Sequence, residues 1–300
     1  MRCWICGSNA TCAWKPPSLD RPLTPEDLQI TDDHYGRTLA LRRCSSCQFI
    51  FADSDDLDRL TALYEQLSDP GYVESQLSRA PQMRDILQQV MQRVPNASSL
   101  LDIGAGAGLL VAEARRRGLL ATGVEPSRAL VESAREVNGV ELIQGLFPHP
   151  QLAGRTFDVI SLVDVIEHVT DPVEMLRECA AALSVDGVLI VVTPDVGSVV
   201  AQVLGTRWWH FRLAHVGYFN KTSINRAAAE AGLFAIGVCR ATRFFRVGYV
   251  VERLARYLPI GWLNRLAQRR KVLRRLFERV TPLNTHDSLG LFLQRTKNGT

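Results

Sequence analysis

The sequence predicts an α/β protein with a doubly wound sheet of seven strands, a small cysteine-rich module before the sheet and amphipathic helices near the end. Two observations predict this class. Short apolar runs alternate with helical patterns from residue 98 onward, as in consecutive βαβ units. The first run also ends in an acid and enters a turn with the letters DIGAGAG at 102–108, after which an alanine-rich helical pattern begins.

The elements follow in a regular order along the chain. Helices are predicted at 109–117, 127–137 and 172–183. The predicted strands are 98–103, 121–124, 140–143, 157–163, 188–192, 234–239 and 289–294. We expect a parallel sheet, in which ligands bind beyond the carboxyl ends of the strands. The predicted division of the chain is a module at 1–52, a helical connector at 53–97 and a sheet domain at 98–300 with a helical insertion at 243–284.

Composition is that of an ordinary soluble domain, with 46% hydrophobic and 22% charged residues. No stretch is long and apolar enough to span a membrane, and the first residues lack the apolar core of an export signal. A cytoplasmic location is therefore expected.

Seven cysteines include two C-x-x-C pairs near the amino terminus, Cys3 with Cys6 and Cys44 with Cys47. Each pair can form half of a tetrahedral four-cysteine zinc site, and the span between them suits a zinc ribbon. A module of this size cannot bury a large core, so a structural Zn²⁺ ion would supply folding energy. A redox dithiol and a metal-free fold are the alternatives.

The glycine-rich turn and the acid that ends the second strand indicate a nucleotide-type site. Gly104, Gly106 and Gly108 let a ligand approach the backbone, and Glu125 can bind a ribose diol. Asp102 precedes the glycines, where it would repel a pyrophosphate but suits a ligand with an ammonium group. A tight strand-to-helix turn without a ligand is the alternative.

The D-x-G-x-G-x-G pattern resembles the first motif of the class I S-adenosylmethionine (SAM) methyltransferases, and the similarity covers nearly the whole chain. The resemblance implies that the three glycines line the methionine part of SAM and that Glu125 binds its ribose hydroxyls. Asp164, in the acid-rich stretch after the fourth strand, belongs to the expected cofactor site. The family usually has an acid after the third strand, where this chain has Gln144, so adenine recognition is expected from backbone groups near Leu146.

An aromatic insertion at 207–220 lies between the fifth and sixth strands and is expected to line a pocket or an interface. Its H-x-x-Y-F segment resembles the E-H-x-x-Y-F-S segment of deoxysugar methyltransferases that carry an N-terminal four-cysteine zinc module. In those proteins the histidine is a catalytic base, which corresponds to His215 here. Ala214 stands at the position of the glutamate and Asn220 at that of the serine, a departure that puts carbon methylation in doubt.

His168 is the second candidate base, because it follows the end of the fourth strand. Asp164 and Glu167 are expected to raise its pKa. For a histidine in this position, a structural hydrogen-bond role is the alternative.

The predicted function is SAM-dependent methyl transfer, with O-methylation of a small, sugar or lipid-linked acceptor as the first hypothesis. A quinone-type or other aromatic acceptor and carbon methylation of a sugar are alternatives. Nucleic-acid methylation is disfavoured, because the sequence has no N/D-P-P-Y/F motif and its basic residues lie on amphipathic helices. A non-enzymatic SAM-binding module is the remaining alternative.

Basic residues concentrate at 243–280, which holds eleven basic and two acidic residues in a chain of net charge +4. The apolar residues of this segment follow helical spacing, and a Pro-Ile-Gly break at 259–261 divides it into two helices. One interpretation is a helical pair that covers the sheet or forms a dimer face. The other is docking on an anionic membrane surface, which would place the protein at the inner face of the membrane, near a lipid-linked acceptor.

Overall fold

A computed structural model describes residues 1–29, 31, 35–239, 242–255 and 271–296. The strands, in chain order, are β1 (Thr11–Lys15), β2 (Leu41–Cys44), β3 (Ile50–Ala52), β4 (Ser99–Ile103), β5 (Leu120–Glu125), β6 (Ile143–Gln144), β7 (Phe157–Val163), β8 (Leu183–Pro194), β9 (Gly217–Tyr218), β10 (Leu233–Val238), β11 (Arg243–Arg246), β12 (Val280–Leu283) and β13 (Ser288–Arg295). The helices are α1 (Leu60–Glu65), α2 (Pro70–Glu74), α3 (Gln76–Arg93), α4 (Leu109–Arg116), α5 (Arg128–Asn138), α6 (Pro172–Ala182), α7 (Val199–Leu204), α8 (Lys221–Glu230), α9 (Val247–Leu254) and α10 (Lys271–Glu278).

Seven strands form the main sheet in the order β10-β13-β8-β7-β4-β5-β6. The order reverses between β4 and β7, so the chain winds in both directions from β4, as a doubly wound sheet does. Each predicted strand overlaps one of these seven. The expectation of a parallel sheet is wrong for β13, which runs antiparallel to both β8 and β10. The chain enters β13 from the ribbon β11–β12 rather than from a crossover helix, and alternation of apolar runs does not record strand direction.

Alternate residues of the central strands pack on opposite faces of the sheet. Leu100 and Val159 lie in one buried cluster, together with residues of α3 and α4. Leu101 and Ile160 lie in the other, together with residues of α6 and α8. Because both faces are covered, the strands read as continuous apolar runs.

The helices begin at residues whose side chains cap them. Ser127 accepts a hydrogen bond from the backbone N–H of Leu130 at the start of α5. Asp171 does the same for Glu174 at the start of α6, where Pro172 occupies the first turn. These caps set where each helix begins after its strand, and thus where the loops at the carboxyl end of the sheet lie.

The N-terminal module forms a second sheet of four antiparallel strands in the order β1-β2-β3-β9. Its last strand comes from the aromatic insertion, because β9 pairs with β3. A buried cluster joins the module to that insertion: it includes Leu28 and Leu41 of the module and Trp208, Phe211 and Tyr218 of the insertion. The aromatic side chains therefore fill an interface with the N-terminal module rather than an open pocket.

The segment at 243–280 begins as a strand. Residues 243–246 form β11, which pairs with β12 and leaves helices only at α9 and α10 in the part of the segment that is described. The predicted helical insertion at 243–284 therefore contains a two-stranded ribbon as well as helices, and the predicted break at 259–261 lies outside the described residues. Among the described residues, the helices are all too short or too polar to cross a lipid bilayer.

Candidate cofactor and acceptor site

The glycine-rich loop follows β4 at the carboxyl end of the sheet. The backbone N–H groups of Gly104 and Ala105 both donate to the carbonyl of Val124, at 2.9 and 3.0 Å. Gly104 has φ +68°, and a Cβ atom built on it would lie 2.6 Å from the side chain of Val165. The loop conformation therefore requires glycine here, both for its backbone angle and for the space beside it.

Two buried carboxylates flank this loop. Glu125 accepts hydrogen bonds from the backbone N–H groups of Gly106 (2.8 Å) and Ser127 (2.9 Å), one on each oxygen. Asp102 accepts one from the Ser161 hydroxyl at 2.7 Å. Burial raises the pKa of Asp102 to about 7 and that of Glu125 to about 7, because the charged form loses hydration, although the hydrogen bonds lower both.

Tyr72 of α2 lies over the loop. A Cβ atom built on Gly106 would lie 3.0 Å from the ring of Tyr72. The guanidinium of Arg79 stacks on the same ring at 4.5 Å and lies 3.7 Å from the carboxylate of Asp164. Asp164 itself follows β7 with φ +56°, an unusual angle for a non-glycine residue and one that is often seen at functional sites. The connector thus supplies a cover for the loop.

Two depressions lie at this end of the sheet, and Glu125 lines neither of them. One is narrow, with a volume of about 330 Å³ that includes open solvent, and is lined by residues of the loop together with Tyr72, Arg79 and Met83. The other, of about 800 Å³ and open to solvent, lies between the end of α1, the start of α5 and Gln144.

Leu146, expected near adenine, follows β6 and is about half exposed. Gly108, the third glycine of the motif, has φ +73° and caps the amino end of α4.

His168 lies in the turn that follows β7. It comes three residues after Val165, whose side chain lies against Gly104 of the loop. Its Nδ1 atom is 2.7 Å from the carbonyl oxygen of Ala214 and 2.6 Å from the hydroxyl of Tyr64, and that hydroxyl donates to the same carbonyl at 3.1 Å. A carbonyl oxygen only accepts, so this geometry assigns the proton to Nδ1 and leaves Nε2 as an acceptor.

Burial lowers the pKa of His168 to about 4, an effect that outweighs the hydrogen bond to Ala214 and the charge of Asp164. The expectation of a raised pKa is therefore wrong, because loss of hydration disfavours the imidazolium more than the nearby carboxylates favour it. The imidazole is neutral at physiological pH and can accept a proton.

His215 packs edge-on against His168, with ring centroids 4.8 Å apart. It is 6% exposed, whereas His168 is only partly buried. Burial lowers the pKa of His215 well below its usual value, and the neighbouring histidines and Arg212 lower it further. Within the part of the chain that is described, Nδ1 of His215 has no hydrogen-bond partner. The structure thus brings both predicted histidines into one pair of neutral imidazoles.

Glu167 completes this cluster. Its carboxylate accepts a hydrogen bond from the Thr193 hydroxyl at 2.9 Å, and it lies within 4.8 Å of ring nitrogens of both histidines. The backbone of the same residue accepts from the N–H of Val216 at 2.9 Å. The turn with Glu167 and His168 is therefore fastened to the segment that carries His215.

Four contacts in this region were not predicted from the sequence. The hydroxyl of Tyr64, at the end of α1, contacts His168. Asp287, fully buried, accepts a hydrogen bond from the indole N–H of Trp208 at 3.2 Å and lies 3.5 Å from Nε2 of His210. The His210 ring in turn stacks on that of His215 at 6.0 Å. In the sequence, the two histidines of the insertion, His210 and His215, were the only indication of these contacts. The residues that they contact lie far away in sequence.

The four predicted metal ligands come together within the N-terminal module. The Sγ atoms of Cys3, Cys6, Cys44 and Cys47 all lie within 4.8 Å of one another. The shortest separations are 3.5 Å between Cys3 and Cys47 and 3.6 Å between Cys6 and Cys44. Cys12, Cys179 and Cys239 lie outside this cluster.

Residues 62–236 match the family described as methyltransferase domain. This chain belongs to that methyltransferase family. The match begins after the N-terminal module, so the similarity of that module to the zinc-containing subgroup stays a prediction.

Two curated proteins illustrate the similarity of this methyltransferase to known sequences. The ubiquinone biosynthesis O-methyltransferase of Caulobacter sp. (strain K31) is 38% identical over 100 residues, which cover 31% of this chain and 40% of that protein. The ubiquinone biosynthesis O-methyltransferase of Bradyrhizobium sp. (strain ORS 278) is 34% identical over 122 residues, which cover 39% of this chain and 44% of its own length. The methyltransferase thus spans less than half the length of these relatives.

Among solved structures, the mitomycin 7-O-methyltransferase MmcR superposes with a TM-score of 0.50 over 80% of this chain and 60% of that one. Sequence identity is 16%, so the likeness shows the fold alone.

Proposed function

We propose that this methyltransferase uses SAM to methylate a hydroxyl group of a small molecule, with a quinol-type phenol as the first acceptor class. The observation that carries the proposal is the neutral histidine pair beside the glycine loop: Val165 contacts Gly104 and begins the turn that holds His168. A proton acceptor and a cofactor loop at one sheet edge are what methyl transfer to a hydroxyl requires.

The cofactor side has the features that SAM needs. Asp102 would hold the ammonium group, and the carboxylate oxygens of Glu125 keep lone pairs for ribose hydroxyls after accepting one backbone hydrogen bond each. All three glycines have positive φ, so the loop holds a backbone conformation that other residues rarely adopt. When bound, SAM supplies an electrophilic methyl group on sulfur, so the protein mainly aligns the donor and the acceptor.

His168 is the proposed general base. Its proton lies on Nδ1, held by the Ala214 carbonyl, so Nε2 can take the proton of an acceptor hydroxyl as the new C–O bond forms. His168 is favoured over His215 for this role because His215 is almost fully buried. His215 then acts as the packed neighbour that keeps the His168 ring in place.

The acceptor class is supported by the names of the curated relatives, which are O-methyltransferases of ubiquinone biosynthesis. Sugar carbon methylation is the second candidate. Ala214 lacks the acid of that pattern, but Glu167 places a carboxylate within 4.8 Å of the histidines and could assist a stronger base. A sugar or lipid-linked hydroxyl uses the same chemistry as a phenol, so only acceptor binding separates these classes.

The experiment is a transfer assay with methyl-labelled SAM against a panel that contains a catechol, a quinol and nucleotide-linked deoxysugars. An aryl methyl ether, identified by mass spectrometry and NMR, is the expected product. A methyl group bonded to a sugar carbon would favour the second candidate. SAM binding without transfer to any acceptor of the panel would favour a binding module instead.

We also propose that the four clustered cysteines hold one structural Zn²⁺. Tetrahedral bonds of about 2.3 Å place sulfur atoms about 3.8 Å apart, close to the 3.5 and 3.6 Å separations of the two nearest pairs. All four ligands come from the protein, so the site leaves no open position for catalysis. Cys44→Ser should lower the zinc content by elemental analysis, and Cys12→Ser, an exposed cysteine of the same module, should not. Full zinc retention in Cys44→Ser would remove the assignment.

Contact of the segment 243–280 with an anionic membrane, and with it a peripheral location, stays a proposal. Part of the apolar surface is used internally, since a Cβ atom built on Gly248 of α9 would lie 3.2 Å from the Phe277 ring of α10. Leu276 and Val280 remain exposed beside basic residues. Salt-sensitive co-sedimentation with anionic vesicles, lost on deletion of the segment, is expected. Equal binding to neutral vesicles would contradict it.

A further inference from the structure

We infer that the four-cysteine module is a positioning element of the acceptor site: through β3 and β9 it holds the carbonyl of Ala214 and thereby the proton position of His168. This inference rests on the proposed function for the role of His168 and on the proposed zinc ion for the rigidity of the module. It gives the module a part in turnover, which a distant folding unit would not have.

The hydrogen bonds of Val216 are the first observation. Its carbonyl oxygen accepts from the backbone N–H of Ala52 in β3 at 2.8 Å. Its own N–H donates to the carbonyl of Glu167 at 2.9 Å. One residue is therefore bonded to the module on one side and to the turn with His168 on the other.

Val216 lies two residues after Ala214, whose carbonyl oxygen is 2.7 Å from Nδ1 of His168. A shift of this short segment moves the acceptor that keeps the proton on Nδ1. If that contact loosens, the proton can move to Nε2, the atom that must accept from substrate. The base is then present but in the wrong tautomer.

Phe49 connects this segment to the cysteines. Its carbonyl accepts from the backbone N–H of Cys44 at 2.9 Å, inside the second C-x-x-C knuckle. Its fully buried ring lies 4.8 Å from that of Phe219, between centroids, and would be 3.0 Å from a Cβ atom built on Gly217. The knuckle and β9 thus share one aromatic contact.

The strand β9 has only two residues, and Ile50 and Phe51 of β3 are its partners in the module sheet. So short a strand depends on the rigidity of its neighbour. The module is small, so we expect its rigidity to come largely from the metal. Loss of zinc should then loosen 213–219 before it affects the glycine loop, which is held by β5 and Glu125.

Hydrogen exchange measured by mass spectrometry tests this without any acceptor. Zinc is removed with a chelator, and the stripped protein is compared with the zinc-loaded protein. Amides at 213–219 should exchange at least about tenfold faster after removal, with those at 102–108 unchanged. Unchanged exchange at 213–219 would overturn the inference, whatever the acceptor proves to be. If exchange rises throughout the chain, the substitution below decides.

Phe49→Leu tests the coupling with zinc in place. Phe157→Leu is the matched control, since it makes the same change at an equally buried ring at the start of β7. Phe49→Leu should keep its zinc and SAM affinity, lower kcat about tenfold with the acceptor KM little changed, and move the acidic limb of the pH profile. Phe157→Leu should leave that limb in place. Equal effects of the two variants on kcat and on the limb would show a loss of stability only and would overturn the inference.

Discussion

The glycine loop and the histidine cluster lie at the same end of the sheet but are built in opposite ways. The loop and its carboxylates come from one β4–α4–β5 unit, and Glu125 bonds the N–H of Gly106, 19 residues away. The cluster is assembled across the chain, since Tyr64 and His168 are 104 residues apart. One site is local backbone geometry, and the other depends on tertiary packing.

Their electrostatics differ as well. Burial raises the pKa of Asp102 and Glu125 to about 7, so the cofactor side titrates near neutrality. Burial lowers the pKa of His168 to about 4, so the imidazole of His168 on the acceptor side is uncharged over the same range. The two sides should therefore respond differently to substitution and to pH.

The largest effect is expected on the acceptor side. His168→Ala removes the proposed base and should lower kcat by roughly 10²–10⁴-fold. Transfer of label from SAM to the acceptor measures it. The control is His149→Asn. His149 lies beside Gly145, and asparagine keeps a side chain that can cap the following helical turn, so kcat should not change. A kcat close to that of the parent would move the role to His215 or to no base.

On the cofactor side, Gly104→Val should weaken SAM binding by about 100-fold or more. A β-branched residue is disfavoured at φ +68°, and its side chain would meet Val165. Gly118→Val is the control, because Gly118 has a similar φ of +85° but no atom within 4 Å of its Cβ position. It introduces the backbone strain alone, without a change at the proposed ligand site. Calorimetry should show parental affinity for that control, and equal losses in both variants would contradict a ligand site at the loop.

Tyr64→Phe should have a smaller effect. It removes the hydroxyl that contacts His168 Nδ1 and donates to the Ala214 carbonyl. Loss of a buried hydrogen bond costs about 1–2 kcal/mol, or roughly a tenfold fall in kcat. SAM affinity should stay the same. Steady-state kinetics checks both, and a rise in the KM for SAM with constant kcat would place Tyr64 on the cofactor side instead.

The pH response should separate the two sides. SAM is a cation, so its affinity should fall as Asp102 and Glu125 gain protons below their pKa of about 7, by about tenfold between pH 8 and 6 for each carboxylate that must be ionised. The base must be unprotonated, and with a pKa of about 4 His168 stays so down to pH 5. At saturating SAM, kcat should therefore change less than about twofold over that range. A fall in kcat that starts near pH 6.5 would indicate a histidine of ordinary pKa.

The sequence predicted the cofactor side well because its cause is local. Glycines with positive φ and an acid at a strand end leave a pattern within one βαβ unit, and all seven strands were found from apolar runs. The acceptor side was predicted only as two separate histidines. Nothing in the chain near His168 indicates Tyr64 or Ala214, and burial reversed the expected direction of its pKa shift. The strand β9 was not predicted, because two residues are too few to show an alternation of apolar and polar side chains. Its partner strand β3 also lies in the N-terminal module, far away in sequence.

The separation of the two sides is tested most directly by titrating SAM into His168→Ala by calorimetry. The expected result is one equivalent of SAM bound with the affinity of the parent, within about threefold, by a protein whose kcat is lowered roughly 10²–10⁴-fold. Parental SAM affinity in a variant without activity would assign His168 to the acceptor. Loss of SAM binding in His168→Ala, comparable to that in Gly104→Val, would contradict the division of the site into a local cofactor loop and a packed acceptor cluster.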